Sequence, residues 1–166
     1  VNGAPGAGAS ADGGAGAPLA ELVLVRHAET DWSRAGRHTG RTDIPLTAAG
    51  RAAAEALRAR LADSSFERVL VSPLARARET CELTGLAARA EPRSDLQEWD
   101  YGDYEGLTTA EVQARRGDWS LWRDGCPGGE RAADVGLRAD RALDRPRRRS
   151  WRPPRPVDRC AVPALP

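Results

Sequence analysis

The segment LVRHAET sets Arg26 and His27 side by side where an apolar run ends. Histidine is the usual nucleophile or general base near neutral pH. A neighbouring guanidinium favours an anionic substrate, above all a phosphate. Alone, such a pair reads more often as a surface Arg-His at a strand end and carries no assignment. Three further segments shift that balance. RHTGRTDIPLTAAGR follows within a few residues and contains Thr39 and Gly40. SPLARARET puts Arg76 in the first turn of a helix, where free N–H groups and the dipole attract an anion. LQEWDYGDYEG sets Glu98 among aromatics and glycines, where partial burial would raise its pKa toward that of a general acid.

In this order the four motifs resemble the histidine phosphatase superfamily, the phosphoglycerate-mutase-like enzymes, whose signature is the RH pair of LVRHAET. The resemblance covers about residues 20–144. RHTGRTDIPLT, EWDYGDYEG and WSLWRDGCPGGE are similar to a phosphosugar phosphatase group of the sedoheptulose-bisphosphatase type, which favours hydrolysis over mutase action. The resemblance implies that His27 attacks phosphorus and becomes a phosphohistidine, later hydrolysed by water. It implies that Arg26 and Arg76 hold the phosphoryl oxygens, each charged hydrogen bond being worth about 1.5–3 kcal/mol. Glu98 would protonate the leaving alkoxide and then activate water. Thr39 and Gly40 would touch substrate or phosphate, and Ser33 stands where many relatives have asparagine. Neither metal nor cofactor is implied, because arginines and a helix N-terminus supply the positive charge.

The family also implies a second histidine, in a His-Gly step after a later strand. The sequence holds only His27 and His38, and His38 belongs to the HTG segment. Losing a preorganised donor to a developing oxyanion typically costs about 10²–10³ in rate. Impaired phosphomonoester hydrolysis is therefore expected. The alternatives are a catalytically silent phospho-ligand binding domain that keeps Arg26, Arg76 and Glu98, or a mutase.

Other residues read more blandly. His38 is expected as a loop residue flanking the pocket. Arg78, two positions from Arg76 on a helix, points elsewhere, to solvent. Trp119 and Trp122 suit core or lid packing, Arg123 and Cys126 the entrance, and Glu130 a helix first turn.

The elements that must position these groups alternate between strand and helix. Leu22–Val25 is a continuous apolar run, the pattern of a strand buried on both faces of a parallel sheet. Thr47 can cap a helix over 48–62 with Ala53, Leu57 and Leu61 facing inward. Val69–Val71 supplies a second strand, and Ser72 and Pro73 a helix cap and first-turn proline. That helix runs to Gly85 as its C′ residue. A short third strand falls within 87–94, and further helices near 108–116 and 130–144. The pattern predicts an α/β fold, a three-layer, mainly parallel sheet with helices on both faces, C-terminally incomplete. In such sheets ligands bind beyond the carboxyl ends of the strands.

Composition bounds the remainder. The chain has 166 residues and a net charge of +1; all 25 basic residues are arginine. Residues 145–166 carry +6 and the preceding residues −5. Residues 1–18 are nearly all Gly, Ala, Pro and Ser and read as a disordered tail. The domain proper spans 19–144, followed by an arginine- and proline-rich irregular tail over 145–166. There the loss of periodicity, the arginine burst and the missing histidine coincide, as in a frame-shifted reading of GC-rich DNA. Seven arginines could bind nucleic acid, but without aromatic platforms or a motif that reading is weak. Three widely spaced cysteines exclude a disulfide framework or zinc knuckle. No membrane span and no secretory signal can be read, which places the chain in the cytoplasm. The expected partner is a small-molecule phosphate ester; the oligomeric state is open.

Overall fold

Helix starts in this protein are set by side chains that satisfy free backbone N–H groups. A computed structural model describes residues 22–143, so the expected tails over 1–18 and 145–166, and the frame change, lie outside the described residues. Thr30 and Ser33 cap one another reciprocally and open the short helix α1 (Asp31–Arg34). Thr47 accepts from Gly50 N at 2.9 Å and starts α2 (Ala48–Leu61), as its position predicts. The inward face of α2 carries the expected Leu57 and Leu61, both half-buried, but its other members are Gly50 and Ala54, and Ala53 is exposed. The helix lies so close to the Glu29 backbone that a Cβ at position 50 would strike it, and this approach sets the face.

β1 (Val69–Val71) pairs in parallel with β2 (Ala90–Pro92), Val69 opposite Ala90 and Val71 opposite Pro92. The crossover between them is α3 (Ala75–Leu83), which ends at Thr84 with Gly85 at φ +81° as the expected C′ residue. Its start departs from expectation. Leu74 occupies the cap position without a side-chain bond, and the Asp43 carboxylate accepts from Ala75 N at 2.9 and 3.1 Å. Ser72 is left as a weak acceptor for Leu74 N at 3.5 Å, and Pro73 precedes the helix rather than opening it.

Leu22–Val25 is not a strand. These side chains are 44–83% exposed, and among the described residues the run has no ladder partner. A fully apolar run becomes a buried strand only when neighbours cover its edges and both faces. The two-stranded sheet described here does neither.

The main core lies farther along the chain. Trp99, Val112, Trp119 and Cys126 are buried together, with Tyr101, Tyr104, Leu107, Leu121, Ala132 and Val135 packed around them. They bring together α4 (Thr109–Arg116), α5 (Leu121–Asp124) and α6 (Ala132–Ala142). Thr108 and Glu111 form a capping box that starts α4. Among the described residues no helix is long and apolar enough to cross a membrane.

Glu130 was expected in a helix first turn but precedes α6 and acts as a hub. Its carboxylate takes Arg138 Nε and Nη2 at 2.8 and 3.0 Å and Asp100 N at 2.9 Å. Arg138 Nη1 reaches on to the carbonyls of Asp95 and Gln97 at 2.9 and 2.5 Å. One bidentate pair thus clamps the 95–100 segment against α6. Burial by itself pushes the Glu130 carboxyl up, but these hydrogen bonds and the Arg138 charge outweigh it and hold it below its ordinary value.

Arg138→Ala leaves a largely buried carboxylate unpaired and should lower stability by about 3 kcal/mol. Urea denaturation measures this, and the double variant Arg138→Met with Glu130→Gln should recover part of the loss because no charge is left alone. The depressed Glu130 pKa stabilises above the ordinary glutamate range. That contribution should fade as the pH falls through the lowered value.

Candidate active site

His27 lies in the segment that leaves the apolar run, and its neighbours are fixed from two helices. Ala28 N donates to Thr80 Oγ1 on α3 at 3.0 Å. Glu29 O accepts from Thr47 N at 2.9 Å, and the Glu29 carboxylate accepts from Thr47 Oγ1 at 2.7 Å. The start of α2 and the second turn of α3 therefore hold the backbone on which His27 stands.

His27 Nδ1 lies 2.8 Å from Ala28 O. A carbonyl can only accept, so Nδ1 carries the proton and Nε2 presents a lone pair. The His27 pKa is lowered from its ordinary value of 6.5. Burial is the main cause; the Ala28 bond opposes it, the positive charges of Arg76 and Arg26 add to it, and Glu98 pulls the other way. The imidazole is thereby kept neutral and nucleophilic near pH 7.

A cavity of about 300 Å³ opens in front of this ring, lined by Arg26, His27, Ser33, Thr39 and Glu98 together with Gly36, Arg37, His38 and Tyr101. Five of the seven sequence-predicted site residues thus meet in one place. The Ser33 hydroxyl is engaged locally, donating to Thr30 O and accepting from Thr30 N. Thr39 is buried and its hydroxyl donates to Arg37 O at 3.0 Å.

The other two stand behind the wall. Gly40 donates its N–H to Glu105 Oε1 at 2.9 Å, so that group is turned away from the cavity. Arg76 is 1% exposed. Its guanidinium donates to Thr42 O at 2.9 Å, Thr39 O at 3.1 Å and Gly40 O at 2.8 Å. Among the described residues these bonds engage three of the five N–H groups an arginine carries.

Glu98 is exposed at the cavity, not half-buried among the aromatics as expected. The reason is alternation along the segment: Trp99 turns into the core, so its neighbour turns out. Glu98 Oε1 is nonetheless anchored, accepting from Trp99 N at 2.8 Å. The clamp of Glu130 and Arg138 on residues 95, 97 and 100 holds this turn.

His38 flanks the cavity as expected. It stacks on Tyr101 at 4.6 Å and meets Trp119 edge-on at 5.7 Å. Arg78 is exposed on α3. Trp119 is core, whereas Trp122 is 74% exposed with its ring edge-on to Trp99. Arg123 and Cys126 do not line this cavity. Arg123 pairs with Asp118 and Asp124, and Cys126 is buried in the core, its thiol pushed up to about 11 by burial. Arg37, Gly36 and Tyr101 were not singled out by sequence, although the motifs RHTGRTDIPLTAAGR and LQEWDYGDYEG contain Arg37 and Tyr101. Burial, first, and Glu98, next, push the Tyr101 phenol up to about 12.

Residues 22–153 match the family described as "Histidine phosphatase superfamily (branch 1)". An acid phosphatase of Mycobacterium tuberculosis is 45% identical over 124 residues, covering 74% of this chain and 61% of that protein. The sedoheptulose 1,7-bisphosphatase of Saccharomyces cerevisiae is 37% identical over 150 residues, covering 74% and 54%. A 2,3-bisphosphoglycerate-dependent phosphoglycerate mutase of Gloeobacter violaceus is 37% identical over 133 residues, covering 73% and 60%. The solved structure of the Mycobacterium tuberculosis open reading frame Rv3214 superimposes with a TM-score of 0.66 at 43% identity, covering 71% of this chain and 62% of that one. The chain thus spans little more than half the length of these relatives.

In a ¹⁵N-resolved NMR titration, His27 should show the Nδ1–H tautomer and a midpoint below 6.5. A midpoint above 6.5 would contradict the environment described. Because the unfolded chain binds this proton more readily, the His27 contribution to stability should be complete above pH 6.5. It should be lost as the pH falls toward the lowered midpoint.

Proposed function

The chain belongs to the histidine phosphatase superfamily, and we propose that it hydrolyses phosphomonoesters, phosphosugars in particular, with His27 as nucleophile. The observation that carries this reading is the Ala28 hydrogen bond, which leaves His27 Nε2 unprotonated in a cavity shared with Arg26 and Glu98. The name of the bisphosphatase relative supports a sugar phosphate as substrate.

In the proposed first step Nε2 attacks phosphorus as the P–O ester bond breaks, and Glu98 gives its proton to the departing alkoxide. The products are an alcohol and a phosphohistidine. Glu98, now a carboxylate, takes a proton from water as the water oxygen attacks phosphorus. Inorganic phosphate leaves and His27 is regenerated. Arg26, on the cavity wall, neutralises the phosphoryl oxygens, and Arg76, buried behind the 39–42 loop, adds its positive charge at short range. Its exposed position on the cavity lets the attacking water of the second step reach Glu98.

Turnover by this chain is proposed to be slow. The sequence offers His38 as the other imidazole; it lines the cavity, and among the described residues its buried Nε2 has no hydrogen-bond partner. Its ring is stacked on Tyr101 and edge-on to Trp119, a packing role that favours the second reading, a phospho-ligand binder with little or no turnover.

Brief incubation with a ³²P-labelled phosphosugar should leave acid-labile, base-stable phosphate on the protein. His27→Ala should abolish the label. Glu98→Gln should slow phosphate release by about 10²–10⁴. Folded protein that binds phosphosugars but takes no label, across several substrates, would establish the silent reading instead.

A further inference from the structure

The Thr39–Gly40 peptide group is bonded on both sides by ionised side chains. Its N–H donates to Glu105 Oε1 at 2.9 Å, and its C=O accepts from Arg76 Nη2 at 3.1 Å. In a trans peptide these two groups point in opposite directions in one plane. A carboxylate that fixes the N–H therefore aims the carbonyl at whatever lies on the far side. The peptide dipole here runs between a negative and a positive charge, which strengthens both bonds.

The same Glu105 oxygen takes a second loop donor, Thr42 N at 3.0 Å. The carbonyl of Thr42, like that of Gly40, goes to Arg76. Glu105 is itself held by its surroundings. Gly106 N donates to His38 O at 2.8 Å, His38 N to Leu107 O at 2.8 Å, and Arg37 Nη1 to Gly106 O at 2.6 Å. Gly40 makes the close approach possible, since a Cβ there would strike the Trp99 carbonyl and lie 2.7 Å from Glu105 Oε2. The loop over residues 39–42 is thus pinned by a carboxylate on one face and grips a guanidinium with the other.

We infer that Glu105 is a positioning residue for phosphoryl transfer, setting the Arg76 guanidinium toward His27 through the Thr39–Gly40 peptide. The role rests on the reading of His27 as the phosphate-accepting group. Glu105 need not touch the substrate, and it does not line the cavity.

The charged groups that act on His27 are Arg76, Arg26 and Glu98, and Glu105 is not among them. A change at Glu105 can therefore reach His27 through Arg76. In Glu105→Ala the His27 NMR titration midpoint should rise, because a lowering positive charge is no longer held in place. The dissociation constant for inorganic phosphate, read by ³¹P NMR, should increase about tenfold, because the buried positive charge is no longer held beside the cavity. Glu105→Gln keeps an oxygen for both loop N–H groups and should restore most of both values. Ala114→Gly, at an exposed position of α4 away from the loop and from His27, serves as the control for reduced stability alone.

If Glu105→Ala and Ala114→Gly leave His27 and phosphate affinity alike, or shift them equally, the inference fails. Should Glu105→Ala not fold, Gly40→Ala carries the test, since its methyl group wedges the same loop and should produce the same shifts. These readouts need no turnover. A wild-type chain that forms no phosphohistidine would overturn the nucleophile reading, while the His27 midpoint and phosphate affinity would still decide the role of Glu105.

Discussion

A guanidinium that is 1% exposed governs the arrangement of this protein. A buried charge is tolerated only when hydrogen bonds and opposite charges replace the lost water. Arg76 obtains three backbone carbonyls from residues 39–42 and the field of Asp43, Glu98 and Glu105. That requirement shapes the loop. It also fixes the helix that bears the arginine, because Asp43, one residue past the last of those carbonyls, caps α3. One turn later Thr80 accepts from Ala28 N, so the helix carrying the buried cation also holds the backbone next to His27.

The opposite side of the cavity is organised by apolar packing and one clamped ion pair. Trp99 and Trp119 anchor the core, and Glu130 with Arg138 holds the turn that presents Glu98. The two sides meet where Gly40 lies against the Trp99 carbonyl. A loop built around a cation and a turn built on an aromatic core are thereby brought to one cavity, with the imidazole on one wall and the carboxylate on the other.

Much of the local structure was legible because it depends on neighbours in sequence. Thr47 and Thr108 cap the helices that follow them, and Gly85 closes α3 at positive φ. The short parallel strands at Val69–Val71 and Ala90–Pro92 follow from runs bounded by turn residues. Readings that depended on distant partners failed. The α3 cap comes from Asp43, 32 residues upstream of the N–H it satisfies, rather than from the adjacent Ser72. Leu22–Val25 has strand composition, but composition cannot supply the neighbours that a buried strand requires. Glu98 was read as shielded because aromatics flank it, whereas alternation sends Trp99 inward and Glu98 out.

The site divides along the same line. Sequence by itself determined the chemical identities, His27 beside Arg26, Arg76 at a helix start and Glu98 in a turn, and hence the superfamily. Those features are carried by short contiguous motifs whose residue types and spacing suffice. The tertiary structure decided which nitrogen of His27 is free and that Gly40 faces Glu105 rather than the cavity. It also decided that the Arg76 guanidinium lies behind a loop wall. Each of these depends on the direction of a hydrogen bond, and most join groups tens of residues apart. Such directions exist only once the chain has closed those loops and brought the buried polar groups within reach of their partners.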